Sequence, residues 1–199
     1  MKEFWDERYA AETYIYGEEP NDFFARHLSA IKTGRLLLPG EGEGRNAVWA
    51  AKQGWLVDAV DYSDVAKTKA AKLAEKHKVS VNYRVSSLET FEPEANAYDA
   101  IGLIFVHLLP EERETLHHKL INALRPGGVI ILEAFSVKQI NKQSGGPKNI
   151  RMLYDIDSLA RDFASVNAYY FEEETIQLSE GQHHVGEAVV IRLAAIKPL

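Results

Sequence analysis

Residues 36–46 read Leu36-Leu37-Leu38-Pro39-Gly40-Glu41-Gly42-Glu43-Gly44-Arg45-Asn46. The short apolar run is typical of a buried strand, and the alternating glycines that follow it predict a tight turn. The chain then continues as a helix-like segment from Asn46 to Gln53, which Gly54 ends. A strand, a glycine turn and a helix are the first unit of an α/β sheet, whose ligands bind at the carboxyl ends of the strands.

The same alternation of apolar strands and helical segments continues outward from this unit. Further strands are predicted at 55–60, near 79–85, at 98–106 and at 129–134, and helices at 64–77, 110–124 and about 157–164. Such alternation indicates a mostly parallel, doubly wound sheet. The last two strands, at 168–178 and 188–196, are joined by too few residues for a crossover and predict an antiparallel hairpin. We therefore expect an α/β protein with a doubly wound, Rossmann-like, seven-stranded sheet that is mostly parallel and has one antiparallel strand.

No repeat or linker divides the chain, so residues 1–199 are expected to form a single domain. Residues 35–199 are its Rossmann-like core with a C-terminal β-hairpin, and residues 1–34 are an aromatic-rich N-terminal lid and helix. In that N-terminal part, a set of mostly apolar residues recurs at helical spacing and is predicted to pack on the sheet: Phe23, Phe24, His27, Leu28 and Ile31. Tyr14 and Tyr16 are candidates for contact with a bound molecule.

Composition excludes several classes of function. The 199 residues include no cysteine, which excludes disulfide scaffolds, cysteine-ligated metal sites and thiol nucleophiles. A formal charge of −6 disfavours nucleic acid as a partner. The charged N-terminus and the short apolar stretches predict a protein of the cytoplasm without a membrane partner. No metal site is predicted, because His183 and His184 are adjacent and lack an acidic partner at ligand spacing.

The glycine turn and a carboxylate indicate the kind of ligand. The dinucleotide fingerprint G-x-G-x-x-G would place its third glycine at Arg45, so a nicotinamide or flavin cofactor is disfavoured. Asp61 follows the second strand, where a carboxylate can accept both hydroxyls of an adenosine ribose. The structural alternative, that Asp61 caps the next helix, is a role that Ser63 or Asp64 serves equally well.

Four motifs together carry a resemblance to a known family: Leu36 to Gly44, Val57 to Ser63, Tyr98 to Ile101, and Leu124 to Leu132. In this order they resemble the motif series of the class I S-adenosylmethionine-dependent methyltransferases, and most closely the small tellurite-resistance-type and thiopurine-type enzymes. The resemblance implies methyl transfer from S-adenosyl-L-methionine, with S-adenosyl-L-homocysteine as product. The acceptor is expected to be a small-molecule nucleophile with a sulfur, chalcogen, nitrogen or oxygen atom.

The resemblance also implies the cofactor site by position. The glycines border the methionine part, Asp61 holds the ribose, and the residues after the second and third strands form the adenosine wall. The cofactor-binding candidates are Gly40, Gly42, Gly44, Asn46, Asp61, Tyr62, Ser63, Ser87, Leu88, Phe105 and Tyr16. The family commonly has an acidic residue where this chain has Leu38. Glu41 or a backbone carbonyl after the fourth strand therefore remains to bind the cofactor's amino group.

His107 directly follows the fourth strand and is the catalytic candidate, either as a base for the acceptor or as a group that orients it. Tyr14, His184 and Arg192 are candidates for substrate contact. The loop Ser144–Pro147 and the turn Glu180–Gly186 are expected at the substrate mouth, whereas His117 and His118 are expected on a solvated helix face.

Two other functions stay open at this point. A nucleotide-dependent oxidoreductase would share the sheet and Asp61 but conflicts with the glycine spacing. A cofactor-binding protein without turnover would keep both features. The oligomeric state is not indicated by any pattern in the sequence.

Overall fold

The computed structural model describes residues 2–199, in which seven strands form one sheet of order β3-β2-β1-β4-β5-β7-β6. The strands are β1 (Arg35–Pro39), β2 (Leu56–Asp61), β3 (Asn82–Val85), β4 (Tyr98–Ile104), β5 (Leu124–Phe135), β6 (Asn167–Glu180) and β7 (His184–Ile196). The helices are α1 (Lys2–Tyr9), α2 (Asp22–Ser29), α3 (Arg45–Lys52), α4 (Asp64–His77), α5 (Pro110–Ala123) and α6 (Ile156–Asp162), with 3₁₀ turns at Val137–Gln139 and Ile150–Met152.

Only β7 runs against its neighbours, pairing antiparallel with both β5 and β6. The pairings of β1 with β2 and β4, of β2 with β3, and of β4 with β5 are parallel. The predicted seven-stranded sheet with one reversed strand is therefore confirmed. After β1 the chain continues to β2 on one side, and β4 later pairs with β1 on the other side. The loops after β1 and β4 therefore diverge, and the crevice between them is where such sheets bind ligands.

The sheet is buried on both faces, which explains why its strands read as nearly continuous apolar runs. Successive side chains of β1 alternate between two cores. Leu36 and Leu38 pack with α2 and α3 on one face, and Leu37 packs with α5 on the other. All three leucines are at most 1% exposed. These contacts hold β1, and with it the glycine turn, at the centre of the sheet.

Two local expectations differ from the structure. The strand predicted at 129–134 begins earlier, at Leu124, because Leu124 pairs with Tyr98. In addition, the Gly127 N–H donates to the Lys197 carbonyl, and the Lys197 N–H donates to the Gly128 carbonyl. The hairpin turn is shorter than the predicted 179–187, because Glu180 pairs with His184 and both strands continue almost to their tip. Long-range pairing here overrides residues whose local preference is for turns.

The prediction that His117 lies on a solvated helix face is wrong. His117 is 1% exposed, and its Nδ1 lies 2.8 Å from Oδ2 of Asp162. The reason is that α6 packs against α5, which covers this side of the helix. Burial lowers the pKa of His117, and the bond to Asp162 opposes that shift.

Within residues 2–199, every helix is too short or too polar to cross a bilayer.

We predict that Gly102→Ala destabilises the protein by about 1–3 kcal/mol, because the core of β4 is closed over this glycine. A Cβ at residue 102 would lie 2.7 Å from Cδ2 of Leu38 and 2.7 Å from Cε2 of Phe24. Urea unfolding measures the cost. The same substitution made in a Phe24→Leu background should cost less, since the smaller side chain relieves one of the clashes. Equal costs in the two backgrounds would contradict this packing argument.

Candidate functional site

The turn after β1 has the backbone that its glycines predict. The φ angles of Gly40, Gly42 and Gly44 are 66°, 63° and 93°, in the left-handed region that favours glycine. At Gly40 a Cβ would also lie only 2.8 Å from Cγ2 of Val106, in the loop after β4. A side chain at this position would push the loops after β1 and β4 apart. Gly40 therefore keeps the two edges of the crevice close together.

Asp61 lies at the end of β2 beside this turn, where it was predicted. Its Oδ2 accepts a hydrogen bond from the Gly42 N–H at 3.1 Å, and its Oδ1 accepts from the Ser63 N–H at 3.0 Å. Burial raises the pKa of Asp61, and these two hydrogen bonds oppose the rise. A carboxylate has about four lone-pair sites, so Asp61 keeps the capacity to accept two further donors. That capacity suits the two hydroxyls of a ribose.

The other predicted adenosine-wall residues surround Asp61. Tyr62 is partly buried, and burial raises its pKa to about 12. The Ser86 N–H donates to the Asp61 carbonyl at 2.9 Å, which places Ser87 and Leu88 just beyond the end of β3.

Ser63 has a structural task in addition. It is the N-cap of α4, accepting at Oγ from the Ala66 N–H, and it donates to Oδ1 of Asp6 at 2.5 Å. The capping role weighed for Asp61 therefore belongs to Ser63. The side chain of Asp61 is therefore not needed to cap α4.

Glu41 and Asn46 stabilise the turn itself. The N-cap of α3 is Gly44, which has no side chain to cap the helix, and Oε1 of Glu41 accepts from the Ala47 N–H at 2.8 Å instead. Burial raises the pKa of Glu41 to about 7. Oδ1 of Asn46 accepts from the Asn21 N–H at 2.9 Å. Both predicted ligand groups are thus engaged within the protein, at the start of α3 and at the N-cap of α2.

Helix α1 lies over the glycine turn and against α4. The hydroxyl oxygen of Tyr9 is 2.8 Å from the position of a Cβ on Gly42, and Trp5 stacks on Tyr9 with ring centroids 5.4 Å apart. Tyr9 is 5% exposed. Aromatic residues of the N-terminal segment therefore form a cover beside Asp61.

Four rings meet at the carboxyl ends of β4 and β5 and are called here the aromatic cluster: Tyr16, Phe105, Phe135 and His184. The His184 ring centroid lies 4.5 Å from that of Tyr16, 4.5 Å from that of Phe105 and 5.3 Å from that of Phe135. The glycine loop predicted at the mouth packs directly on this cluster, since a Cβ at Gly145 would lie 2.8 Å from Cδ2 of His184. The structure thus brings together Tyr16, Phe105, His184 and both predicted mouth segments.

His107 ends the hydrogen-bond ladder between β4 and β5. Phe105 has a φ of 55°, rare for a residue with a side chain, so the backbone turns out of the strand at this point. In a regular parallel ladder the Phe135 N–H would donate to the Phe105 carbonyl. It donates instead to Nε2 of His107 at 3.3 Å. The ring of His107 therefore replaces a backbone acceptor and separates the Phe105 carbonyl from the sheet.

The surroundings of His107 weigh against its prediction as a base. Nδ1 lies 2.9 Å from the Met152 carbonyl oxygen, which requires the proton on Nδ1, and Nε2 accepts from Phe135. Neither nitrogen keeps a free lone pair for the proton of a substrate. Burial lowers the pKa of His107 to about 4, so the ring is neutral at neutral pH. This geometry favours the second role considered for His107, that of an orienting group.

A buried polar network joins the N-terminal segment to the reversed strand. Nδ2 of Asn21 donates to Oε1 of Glu133 at 2.9 Å and to Oε1 of Glu180 at 3.0 Å. Oε2 of Glu180 in turn accepts from Arg45 at 2.8 Å and lies 3.1 Å from Nδ1 of His184. Burial alone would raise the pKa of Glu180, but His184 and Arg45 hold it at about 2. This network lies under the aromatic cluster and holds its His184.

Two predicted substrate residues lie elsewhere. Nε of Arg192 pairs with Oε2 of Glu133 at 2.6 Å, so its guanidinium balances a carboxylate that is 0% exposed. The Tyr14 hydroxyl donates to the Lys69 carbonyl at 3.0 Å, which holds the ring against α4. The structure does not bring Tyr14 to the aromatic cluster. Neither position could be foreseen, because each depends on a partner far away in the sequence.

Asn21, Arg45 and Glu133 are not among the residues predicted from sequence, and Glu180 is predicted only as part of a turn at the substrate mouth. One signal was available: Glu133 interrupts the apolar run from Val129 to Ala134, where a charge requires a buried partner. Arg45 and Glu180 carried no comparable signal, since charged residues in turns are ordinary.

Comparison with known proteins agrees with the architecture. Residues 37–128 match a family model described as a methyltransferase domain. No curated protein matches the sequence.

Solved structures share the fold at low identity. The N-methyltransferase NodS from Bradyrhizobium japonicum, in complex with S-adenosyl-L-homocysteine, has a TM-score of 0.75 at 13% identity, over 100% of this chain and 98% of its own. TehB from Haemophilus influenzae has a TM-score of 0.74 at 14% identity, over 98% of this chain and 66% of its own. The [4+2]-cyclase SpnF has a TM-score of 0.72 at 17% identity, over 100% of this chain and 95% of its own.

We predict that His107 makes the protein sensitive to acid. Its pKa is about 4 in the folded protein against a usual 6.5, so below pH 6.5 the unfolded chain binds a proton that the folded chain does not. The free energy of unfolding should fall by up to about 3 kcal/mol between pH 6.5 and about pH 4 from this group alone.

His107→Asn removes the titration and keeps an N–H for the Met152 carbonyl. Urea unfolding at about pH 7 and about pH 4.5 should show a smaller loss of stability for this variant than for the parent. Groups that titrate in both proteins cancel in the comparison. Equal losses would show that His107 binds its proton normally in the folded state.

We further predict that Arg192→Met destabilises the protein by about 3–5 kcal/mol, because it leaves the buried carboxylate of Glu133 unpaired. Adding Glu133→Gln should restore part of that stability, since the amide is neutral and its oxygen can still accept from Asn21. Arg125→Met, which removes an exposed pair with Asp99, is the control and should cost at most about 1 kcal/mol. A double variant no more stable than Arg192→Met would contradict this reading of Arg192.

Proposed function

We propose that this protein, which carries a methyltransferase domain at residues 37–128 in the class I methyltransferase fold, transfers a methyl group from S-adenosyl-L-methionine to a small-molecule nucleophile. The observation that carries the proposal is the hydrogen bond from the Gly42 N–H to Asp61. It joins the glycine turn after β1 to a buried carboxylate at the end of β2. In a sheet of this topology, that is the place where the adenosine and methionine parts of such a cofactor meet.

The residues present fit this cofactor. Asp61 has unused acceptor capacity for the ribose hydroxyls, and Tyr62, Ser87 and Leu88 border it as an adenine wall. Bound there, S-adenosyl-L-methionine supplies an electrophilic methyl group on a positively charged sulfur. Glycine at residue 40 places no side chain between the turn and the loop after β4, where a Cβ would lie only 2.8 Å from Cγ2 of Val106.

Recognition of the cofactor's amino group is proposed for the Phe105 carbonyl. Of the two alternatives, Glu41 is held at the start of α3 by the Ala47 N–H. The left-handed turn at Phe105 and the bond from Phe135 to His107 release the Phe105 carbonyl from the ladder. An ammonium group at this position would find an oxygen that the sheet does not use.

The aromatic cluster is proposed as the wall against which the acceptor lies. Tyr16, Phe105 and His184 present ring faces and edges at the carboxyl edge of the sheet, and aromatic faces favour a nearby sulfonium through cation–π attraction. His107 positions this wall through Phe135, on which it stacks at a centroid distance of 5.6 Å. Methyl transfer from a sulfonium needs an aligned nucleophile more than a base, so a positioning role for His107 is sufficient.

Residues 1–34 are proposed as a lid within a single domain. Tyr9 and Trp5 cover the glycine turn, and the Asn21 network ties the segment to the core. The acidic net charge supports an enzyme that acts on small molecules rather than on nucleic acid, and we propose that it works in the cytoplasm.

The decisive test measures the binding of several ligands by the parent protein and by a variant that lacks the Asp61 carboxylate. A hundredfold excess of S-adenosyl-L-methionine or S-adenosyl-L-homocysteine over Kd should raise the thermal midpoint by about 5 to 10 °C, whereas NAD should not. Asp61→Asn should weaken binding of S-adenosyl-L-homocysteine by about 10- to 100-fold in calorimetry, because hydrogen bonds to the charged carboxylate are lost. Asp64→Asn, three residues further on and exposed, is the matched control and should bind as the parent does.

Turnover is tested separately, because the cyclase SpnF shares this fold. Transfer of a labelled methyl group should be detected with at least one member of a panel of thiols, selenols, amines and hydroxyl compounds. Binding of both sulfur nucleosides without transfer to any acceptor would favour a cofactor-binding protein. A midpoint raised by NAD alone would reject the proposal.

A further inference from the structure

A cavity of about 370 Å³ lies beside the start of α5, away from the glycine turn. Its walls are the first turns of α5, the segment from Ile150 to Asp155, and α6. The segment also holds His107: the Met152 carbonyl accepts from that ring, and the next carbonyl, of Leu153, accepts from Arg113. None of the cofactor-binding or aromatic-cluster residues lines this cavity, so the function proposed above does not account for it.

Arg113 lines the cavity and is a buried cation without an anion. It is 4% exposed, and within residues 2–199 no carboxylate oxygen lies within 4.0 Å of its guanidinium nitrogens. Its Nη1 makes one long hydrogen bond, of 3.3 Å, to the Leu153 carbonyl, and its Cζ lies 4.3 Å from the centroid of the Tyr154 ring. Its Nε has no hydrogen-bond partner among these residues. A buried charge is ordinarily paired, because leaving it unpaired is costly.

Three acidic side chains line the cavity, of which two are engaged with other partners and one is exposed. Asp155 caps α6 by accepting from the Ser158 N–H at 2.9 Å, and the Ser158 hydroxyl donates to it as well. Asp162 pairs with His117. Glu114, on the outer side of α5, is exposed. None of these three carboxylates is in ion-pair contact with Arg113, although the charge of Arg113 helps to lower the pKa of Asp155 from a greater distance.

Two further arginines line the cavity where it opens to solvent. Among residues 2–199, Arg151 forms an ion pair with Glu111 alone. Both side chains are about 60% exposed, and such pairs contribute little stability. Arg161 is exposed and forms no ion pair in the part of the chain that the structure describes. Both long side chains are therefore available to a ligand in the cavity.

We propose that this cavity binds the carboxylate or phosphate group of a small molecule, with Arg113 as its buried anchor and Arg151 and Arg161 at its rim. A guanidinium offers donors in a fixed planar fork that matches both groups, and Nε of Arg113 supplies a donor that has no other use. The site is independent of methyl transfer. Because Met152 and Leu153 are adjacent, the ligand would contact the same wall that holds His107.

The first test observes Arg113 directly. The Nε–H signal of Arg113 in a ¹⁵N-labelled protein is identified by its absence in Arg113→Met. Sodium phosphate and sodium acetate are then titrated separately to about 100 mM, with sodium chloride keeping the ionic strength constant. A saturable shift of this signal with either anion supports the site and tells phosphate from carboxylate. A signal that moves with neither anion overturns the proposal.

The second test uses stability and matched variants. The anion that moves the Arg113 signal should raise the thermal midpoint of the parent protein, by about 5 to 10 °C at a hundredfold excess over Kd. Arg125→Met removes an exposed arginine elsewhere and should keep the whole rise. Arg113→Met should lose it, and Arg113→Lys, which keeps the charge without the fork, should bind at least about tenfold more weakly.

Arg113→Met replaces an unpaired buried charge by an apolar side chain of similar length, so we expect it to fold. Arg113→Lys gives the same comparison if it does not. An equal rise in the parent and in the folded Arg113 variants would assign the effect to surface charge and overturn the proposal. S-adenosyl-L-homocysteine binding should be retained in all of them, which keeps this result separate from that of the methyl-transfer site.

Discussion

The carboxyl edge of the sheet depends on the burial of one carboxylate, that of Glu133. A carboxylate in a dry interior is unstable by several kcal/mol unless paired charge and hydrogen bonds replace its water. Arg192 on the reversed strand and Asn21 at the N-cap of α2 supply these contacts. Because Asn21 also donates to Glu180, the same requirement holds the hairpin tip in place. These hydrogen bonds and ion pairs hold the N-terminal segment, β5 and the hairpin in fixed positions relative to one another. They also position His184 of the aromatic cluster, which contacts Glu180.

A second constraint acts where β4 ends. The positive φ of Phe105 turns the chain out of the sheet, and a donor on Phe135 loses its regular partner. His107 accepts from that donor, which keeps the edge satisfied while the Phe105 carbonyl is released. His107 therefore acts on the candidate site indirectly, by accepting a backbone hydrogen bond that would otherwise engage the Phe105 carbonyl. The partly buried ring has a lowered pKa and makes two contacts with the backbone, as this role requires.

The two buried charges of this edge differ in a way that separates structure from binding. Glu133 has its counterion within the chain, on the neighbouring strand. Arg113 has none within residues 2–199, although it lies against a cavity with two further arginines. Burial removes water from both charged groups and is costly for each unless the charge is paired. For Glu133, packing of the neighbouring strand supplies the opposite charge. For Arg113, the proposed anionic ligand would supply it.

The sequence by itself determined the order of strands and helices, the glycine turn and the place of Asp61, because apolar periodicity and glycine backbone preference act within a few residues. Helix α4, for example, begins at Asp64 and ends at His77 as predicted. Only the tertiary structure decided which polar side chains meet. Asn21 and Glu133 are 112 residues apart, and the burial of His117 requires a helix that follows much later in the chain. The sequence around a charged residue does not show whether that residue is solvated or buried. Its partner depends on packing between secondary-structure elements and not on its neighbours along the chain.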